Sequence, residues 1–308
     1  STVVNMNIYY TMMDRKGVDA VTYASNYGIF ATQAVSVVNI PIAIASAMSS
    51  ATIPGVAASF VKKEYDQTCR LVTKAIQMTM LISIPAMVGM AVLAKPIMQF
   101  IFPQKDSLDT ASGLLMVLAI TIVLYGLSTL TNAVLQGIGK VNTPVIHSVI
   151  ALVIQIAGLI AMLEYTQMDL YALVGANILY SLVMCLLNQW SVRKHLGYAM
   201  DGMKIFVKPG FAALIMGAVA YGVYHGLYLI LPVSRIVLLI AMGIGACVYF
   251  VVLLLTGGVS EAELKAFPKG TMLVSVAKRL HLLREEKPKK PRKKKRRRKK
   301  RKKVKKKR

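Results

Sequence analysis

Residues 37–54 read VVNIPIAIASAMSSATIP, eighteen residues without a single charge. They sit inside a longer uncharged window, 20–61. A run of about 18 or more apolar residues is the pattern of a helix that crosses a bilayer. The pattern recurs at 75–94, 110–139, 141–163, 170–192, 209–234 and 236–260. At about 1.5 Å rise per residue, each window can cross a hydrocarbon layer of about 30 Å. None shows the alternation and roughly ten-residue spacing of barrel strands. One such window could be a buried core helix; seven in succession exclude an ordinary soluble domain. The expected fold class is an all-α integral membrane protein with about seven full transmembrane helices. A shorter uncharged stretch, STVVNMNIYYTMM (1–13), has no basic n-region or A-x-A site and reads as the truncated end of a further helix.

The composition hides this body. The 308 residues carry a net charge of +25, yet 56% are hydrophobic and the mean hydropathy is +0.56. From Arg284 to Arg308 there are 20 Lys/Arg against two acids, Glu285 and Glu286, a net +18. The first 283 residues hold only +7. The expected organisation is a membrane domain over 1–283 and a disordered polybasic tail over 284–308. The tail, KPKKPRKKKRRRKKRKKVKKKR, interleaves no aromatics or glycines that could stack bases, so no specific nucleic-acid partner is expected. Beside a membrane it is expected to associate with anionic lipids.

Loop charges orient the windows. The links after windows one, three, five and seven hold Lys62, Lys63, Arg70 and Lys74; Lys140; Arg193, Lys194, Lys204 and Lys208; and Lys265 onward to the tail. The alternate links hold Lys95 and Lys105, then none, then Arg235. The basic side, tail included, is expected to be cytoplasmic.

Polar residues inside spans are costly and are the leads to function. They are Gln33, Asn39, Gln77, Asn132, Gln136, Gln155, Asn177 and Asn188. Of these, Gln33, Asn39, Asn132, Gln155 and Asn177, with Pro41, are the candidates for a substrate or ion pathway. All are neutral, so either interhelical hydrogen bonds or a polar cavity is open to them. Pro41 lacks a backbone donor and is expected to kink its helix. Around it, Ala43, Ala45, Ser46, Ala47, Ser49, Ser50 and Ala51 allow close helix approach, or bending in a transporter. VKKEYDQTCRLVTKA (61–75) is expected to form a short amphipathic surface helix. Residues 258–283 are expected to form another, with Ser260 and Glu263 as a capping box. In LQGIGKVNTP (135–144), Gly137 and Gly139 permit a tight turn, Lys140 sits at the interface, and Pro144 can start the next helix.

Catalytic patterns are missing from the sequence. It contains no P-loop, G-x-S-x-G or H-E-x-x-H, and no paired carboxylates within a window. Cys69, Cys185 and Cys247 are scattered, as are four histidines, so neither a disulfide framework nor a metal site is expected. No enzyme and no cofactor are expected. A G-protein-coupled receptor is disfavoured, because the third window lacks a D-R-Y-like end and the seventh lacks N-P-x-x-Y.

NIPIAIASAMSSATIP (39–54), the charged link after it, LQGIGKVNTPVI (135–146) and GGVSEAELKAFPKG (257–270) together resemble the polysaccharide-export and stage V sporulation protein B group. That group belongs to the multidrug/oligosaccharidyl-lipid/polysaccharide exporter superfamily, which includes the MurJ-type lipid II flippases. The resemblance covers roughly residues 1–283. It implies the second lobe of a fourteen-helix exporter in a bacterial cytoplasmic membrane. It also implies movement of lipid-linked oligosaccharide or peptidoglycan precursors by alternating access, with a lipid-linked glycan as substrate and cell-wall synthesis proteins as possible partners. Some relatives bind a cation among spans seven, eleven and twelve; the matching windows offer Asn5, Asn7, Gln155 and Asn177. Two alternatives stand beside the flippase: a cation-coupled drug exporter of the same fold, and a membrane scaffold for cell-wall synthesis with no transport of its own.

Overall fold

The computed structural model describes residues 2–104, 106–166, 168–197, 202–229 and 234–259. The described residues are helical with no strand, and seven helices are long and apolar enough to cross a membrane. The chain is an all-α integral membrane protein. It divides into two compact units, Ser1–Leu253 and Leu254–Arg308. The tail, residues 258–283 beyond Val259, and the Ser260–Glu263 capping box lie outside the described residues.

The opening helix α1 (Thr2–Arg15) is followed by α2 (Ala20–Gly28), which Asp19 caps through hydrogen bonds from the Val21 and Thr22 amides. Next come a π-helical turn, Ile29–Ala34, and α3 (Val35–Val61). Together α2, the π turn and α3 make one apolar run of 42 residues. Pro41 lies inside α3 without interrupting it, as does Pro54. The helical register changes further upstream, at the Ile29–Ala34 π turn.

The expected surface helix at 61–75 is not separate. Lys63 adopts φ 57°, and its amide and that of Glu64 bond back to Phe60 and Ser59. This Schellman closure reverses the chain in one step. The next helix, α4 (Tyr65–Val92), starts at once and buries Thr68, Val72 and Ile76. Residues 65–74 are therefore the first turns of a span.

The short helix α5 (Ala94–Ile101) precedes α6 (Leu108–Leu118) and α7 (Ile120–Gly137). The third window is thus two helices, broken at Ala119. The Thr121 hydroxyl donates to the Leu118 carbonyl, and the Ile122 amide bonds Ala119 three residues back. A side chain that supplies a local partner lets the backbone ladder shift at low cost. The remaining spans are α8 (Asn142–Tyr165), α9 (Asp169–Leu196), α10 (Lys208–Tyr228, preceded by a π turn, Met203–Val207) and α11 (Ser234–Leu255).

The glycines of LQGIGK divide their labour. Gly139 takes φ 77°, and Lys140 and Gly139 donate to Leu135 and Gln136 in a second Schellman closure. Gly137 stays helical; a Cβ there would meet Val56 Cγ1 at 3.3 Å and the Ile53 carbonyl at 3.4 Å. It lets α3 and α7 approach.

Long-range contacts define two ends of the first unit. Ser59 Oγ lies 2.9 Å from Thr68 Oγ1, and Cys69 Sγ donates to the Leu196 carbonyl at 3.4 Å. This basic end collects the C-termini of α3, α7 and α9 and the start of α4. At the opposite end, Lys16 reaches Asp169 at 4.0 Å and Lys95 reaches Asp109 at 2.6 Å. Both pairs are exposed, and such pairs contribute about 0–1 kcal/mol. Close packing also holds this end: Tyr9, Met13, Leu114, Leu115, Leu118, Leu159 and Leu163 share one core. The last span joins through Tyr249, whose hydroxyl donates to the Leu81 carbonyl at 2.9 Å.

Candidate functional site

Polar side chains in and beside the spans fall into three groups. The first is at the end opposite the basic one. The π turn presents Gln33, which is buried. Its Nε2 donates to Gln104 Oε1 at 3.3 Å and to Ser107 Oγ at 3.2 Å; the Ser107 hydroxyl also lies 3.2 Å from Gln33 Oε1. These groups line a cavity of about 550 Å³ with Ser25, Gly28, Ile29 and Asp106. A π turn widens the helix and re-aims side chains, and such turns recur at functional sites.

The second group holds unpaired oxygens. Asn5 Oδ1 on α1 and Gln155 Oε1 on α8 are buried and have no hydrogen-bond partner among the described residues. The two helices pack against one another. Asn7 is exposed. Asn177 on α9 is committed elsewhere, because its Oδ1 accepts from the Tyr125 hydroxyl at 2.9 Å.

The third group lies towards the basic end. Asn188 on α9 is fully buried. Its Nδ2 donates to Asn132 Oδ1 at 2.7 Å and reaches Ser128 Oγ at 3.4 Å, both on α7. Its Oδ1 lies 2.8 Å from His147 Nδ1 on α8. His147 Nε2 lies 3.3 Å from Ser191 Oγ. Since the Asn188 amide donates on one side, its oxygen must accept on the other, so Nδ1 of His147 carries the hydrogen. Nε2 lies on the Ser191 side of the ring. Three spans are joined with every named group paired.

Asn39 is exposed on α3, and Pro41 is buried. Stepping along the same face, Ala43, Ala47, Ser50, Ala51 and Pro54 are also exposed, with Ile40 and Ile44 exposed beside them. The face of α8 differs: Val145, Ile146, Val149 and Val153 are each more than half exposed. Large aliphatics suit lipid, whereas small and polar residues suit another protein surface or water. Of the small residues, Ala45 and Ser49 face inward; Ala45 approaches Gly126, where a Cβ would lie 3.6 Å from its own.

Residues 30–160 match the MatE family. Over 189 residues, 59% of the chain, the sequence is 29% identical to the lipid II flippase MurJ of Bacillus subtilis (strain 168). That stretch is 33% of the relative's length, so the chain spans about a third of the curated relative it matches. The MatE segment runs from the π turn through most of α8. It contains Gln33, Asn39, Pro41, Asn132, Gly137, Gly139, Lys140, His147 and Gln155.

The spans' polar residues were legible in the sequence, but their partners were not. Gln33 finds Gln104 and Ser107 more than seventy residues away. Asn132 meets Asn188 across 56 residues. His147 and Ser191 carried only one signal: each is a polar residue placed within an apolar window.

Proposed function

We propose that this chain forms one lobe of an exporter that moves a lipid-linked oligosaccharide or peptidoglycan precursor across a cell membrane by alternating access. The observation that carries the reading is the exposed face of α3. In a bundle whose α8 presents aliphatics, α3 presents a strip of Asn39, Ala43, Ala47, Ser50 and Pro54, with Ile40 and Ile44 exposed beside it. Such a strip of small and polar residues suits a polar cavity or a second lobe better than acyl chains. The Ile29–Ala34 π turn and two prolines give the same helix places to bend. The MatE match and the likeness to a lipid II flippase agree with this reading. The membrane domain covers 1–283, with the tail beyond it on the cytoplasmic side.

The test is complementation of a lipid II flippase-deficient strain, together with a reconstituted flipping assay, both with the full-length protein. Rescue with measurable flipping is expected; failure in both overturns the reading.

One observation favours a second reading, the cation-coupled exporter. Asn5 Oδ1 and Gln155 Oε1 are buried oxygens without donors among the described residues. Hard monovalent cations take such neutral oxygen ligands. Sodium-dependent drug resistance without a cell-wall phenotype would decide for it.

A further inference from the structure

We propose that the last two turns of α9, around Trp190 and Lys194, form a binding site for an anionic phospholipid headgroup. On one face of α9, residues four apart run Leu182, Leu186, Trp190, Lys194. Leu182 is 39% exposed, and Leu186 and Trp190 are each 60% exposed. The order is aliphatic, aliphatic, aromatic, cation. It is the order met on leaving acyl chains for headgroups, where an indole lies at the interface and a Lys extends to the phosphate layer.

The cation is held in place. Lys194 Nζ lies 5.0 Å from the centre of the Trp190 ring, within cation–π range. Arg193 is exposed beside it. The Cys69–Leu196 hydrogen bond brings the first turns of α4 alongside, with Arg70 and Lys74 exposed on them. None of these four cations is in an ion pair among the described residues. The acids at the start of α4 are Glu64 and Asp66, both exposed. The charge balance therefore favours an anion.

The neighbouring face selects which anion. A free phosphate would leave Leu182 and Leu186 uncovered. A phospholipid covers them with its acyl chains while its phosphate meets Lys194 and Arg193. A choline headgroup brings its own cation against Lys194 and is disfavoured. The site does not depend on the transport reading.

Trp190 is the chain's one tryptophan, so its fluorescence reports on this site alone. The full chain is reconstituted in phosphatidylcholine vesicles. Brominated phosphatidylglycerol or brominated phosphatidylcholine is then added at equal mole fraction, each normalised to its unbrominated form. The expected binding constant for the anionic lipid is at least about fivefold higher, and the preference weakens as salt is added. In the Arg193→Gln/Lys194→Gln double variant, with circular dichroism unchanged, the ratio falls to about one. The polybasic tail is intact in that variant, so a preference that survives there belongs to the tail and overturns the proposal. Equal quenching by both lipids in the unaltered chain overturns it too. Millimolar inorganic phosphate is expected to leave the preference intact; if it abolishes the preference, the site takes free anions and the lipid assignment fails.

Discussion

His147 Nδ1 on α8 lies 2.8 Å from Asn188 Oδ1 on α9, and the Asn188 amide continues to Asn132 on α7. One asparagine thereby joins three spans. Replacing it strands several groups at once. Asn188→Leu is expected to cost about 1–3 kcal/mol, because the buried His147 Nδ1 and the half-buried Asn132 Oδ1 lose their partner. Thermal unfolding in detergent measures this. A double-mutant cycle of His147→Leu with Asn188→Leu is expected to show a coupling of about 0.5–2 kcal/mol. Additive losses would mean that the two side chains do not interact.

The closeness of α4 and α10 rests on Gly217. A Cβ there would lie 2.7 Å from Val88 Cγ1 and 3.3 Å from Val92 Cγ2. Both neighbours are β-branched and stiff about χ1, so neither yields easily. Gly217→Ala is expected to destabilise by about 1–3 kcal/mol. Adding Val88→Ala should recover part of that loss. If the single substitution unfolds at the same temperature as the unaltered protein, the two helices are not this close.

Two turns at the basic end predict effects of opposite sign. Gly139 holds φ 77°, and Gly139→Ala is expected to lose about 1 kcal/mol. Lys63 holds φ 57° without being glycine. Lys63→Gly removes that strain but adds unfolded-chain entropy, so a gain of a few tenths of a kcal/mol is expected. Midpoints of chemical unfolding distinguish the two.

Thiol labelling tests which faces meet water. With Cys69, Cys185 and Cys247 replaced by alanine, Asn39→Cys in the full-length protein is expected to react with a membrane-impermeant maleimide. Val149→Cys, on the aliphatic face of α8, is expected to resist. Equal protection of both would remove the support that α3 lends to the transport reading.

Much of this protein is local. Whether a segment enters a bilayer depends on the summed transfer free energy of its own side chains. The seven spans could therefore be counted from windows such as 20–61 without any partner. Charged turns, Gly139 and Pro144 punctuate them for the same reason. Boundaries that depend on a single backbone angle were less visible. Lys63 closes α3 in the left-handed region, so Tyr65 could begin a span where the charges of 61–75 resembled a surface helix. Thr121, bonding back to Leu118, broke a window that was uniformly apolar at Ala119.

The pairing of polar groups is not local, and tertiary structure alone decided it. Gln33, Asn132, Gln155 and Asn177 looked equivalent in sequence: neutral amides in apolar windows. Folding separates them. Gln33 is bonded beside a cavity, Asn132 is tied to Asn188, Asn177 is held by Tyr125, and Gln155 Oε1 is buried with no partner among the described residues. The physical reason is range. Hydrophobic insertion acts on one segment at a time. A hydrogen bond between spans requires two side chains, tens of residues apart, to arrive within about 3 Å of each other.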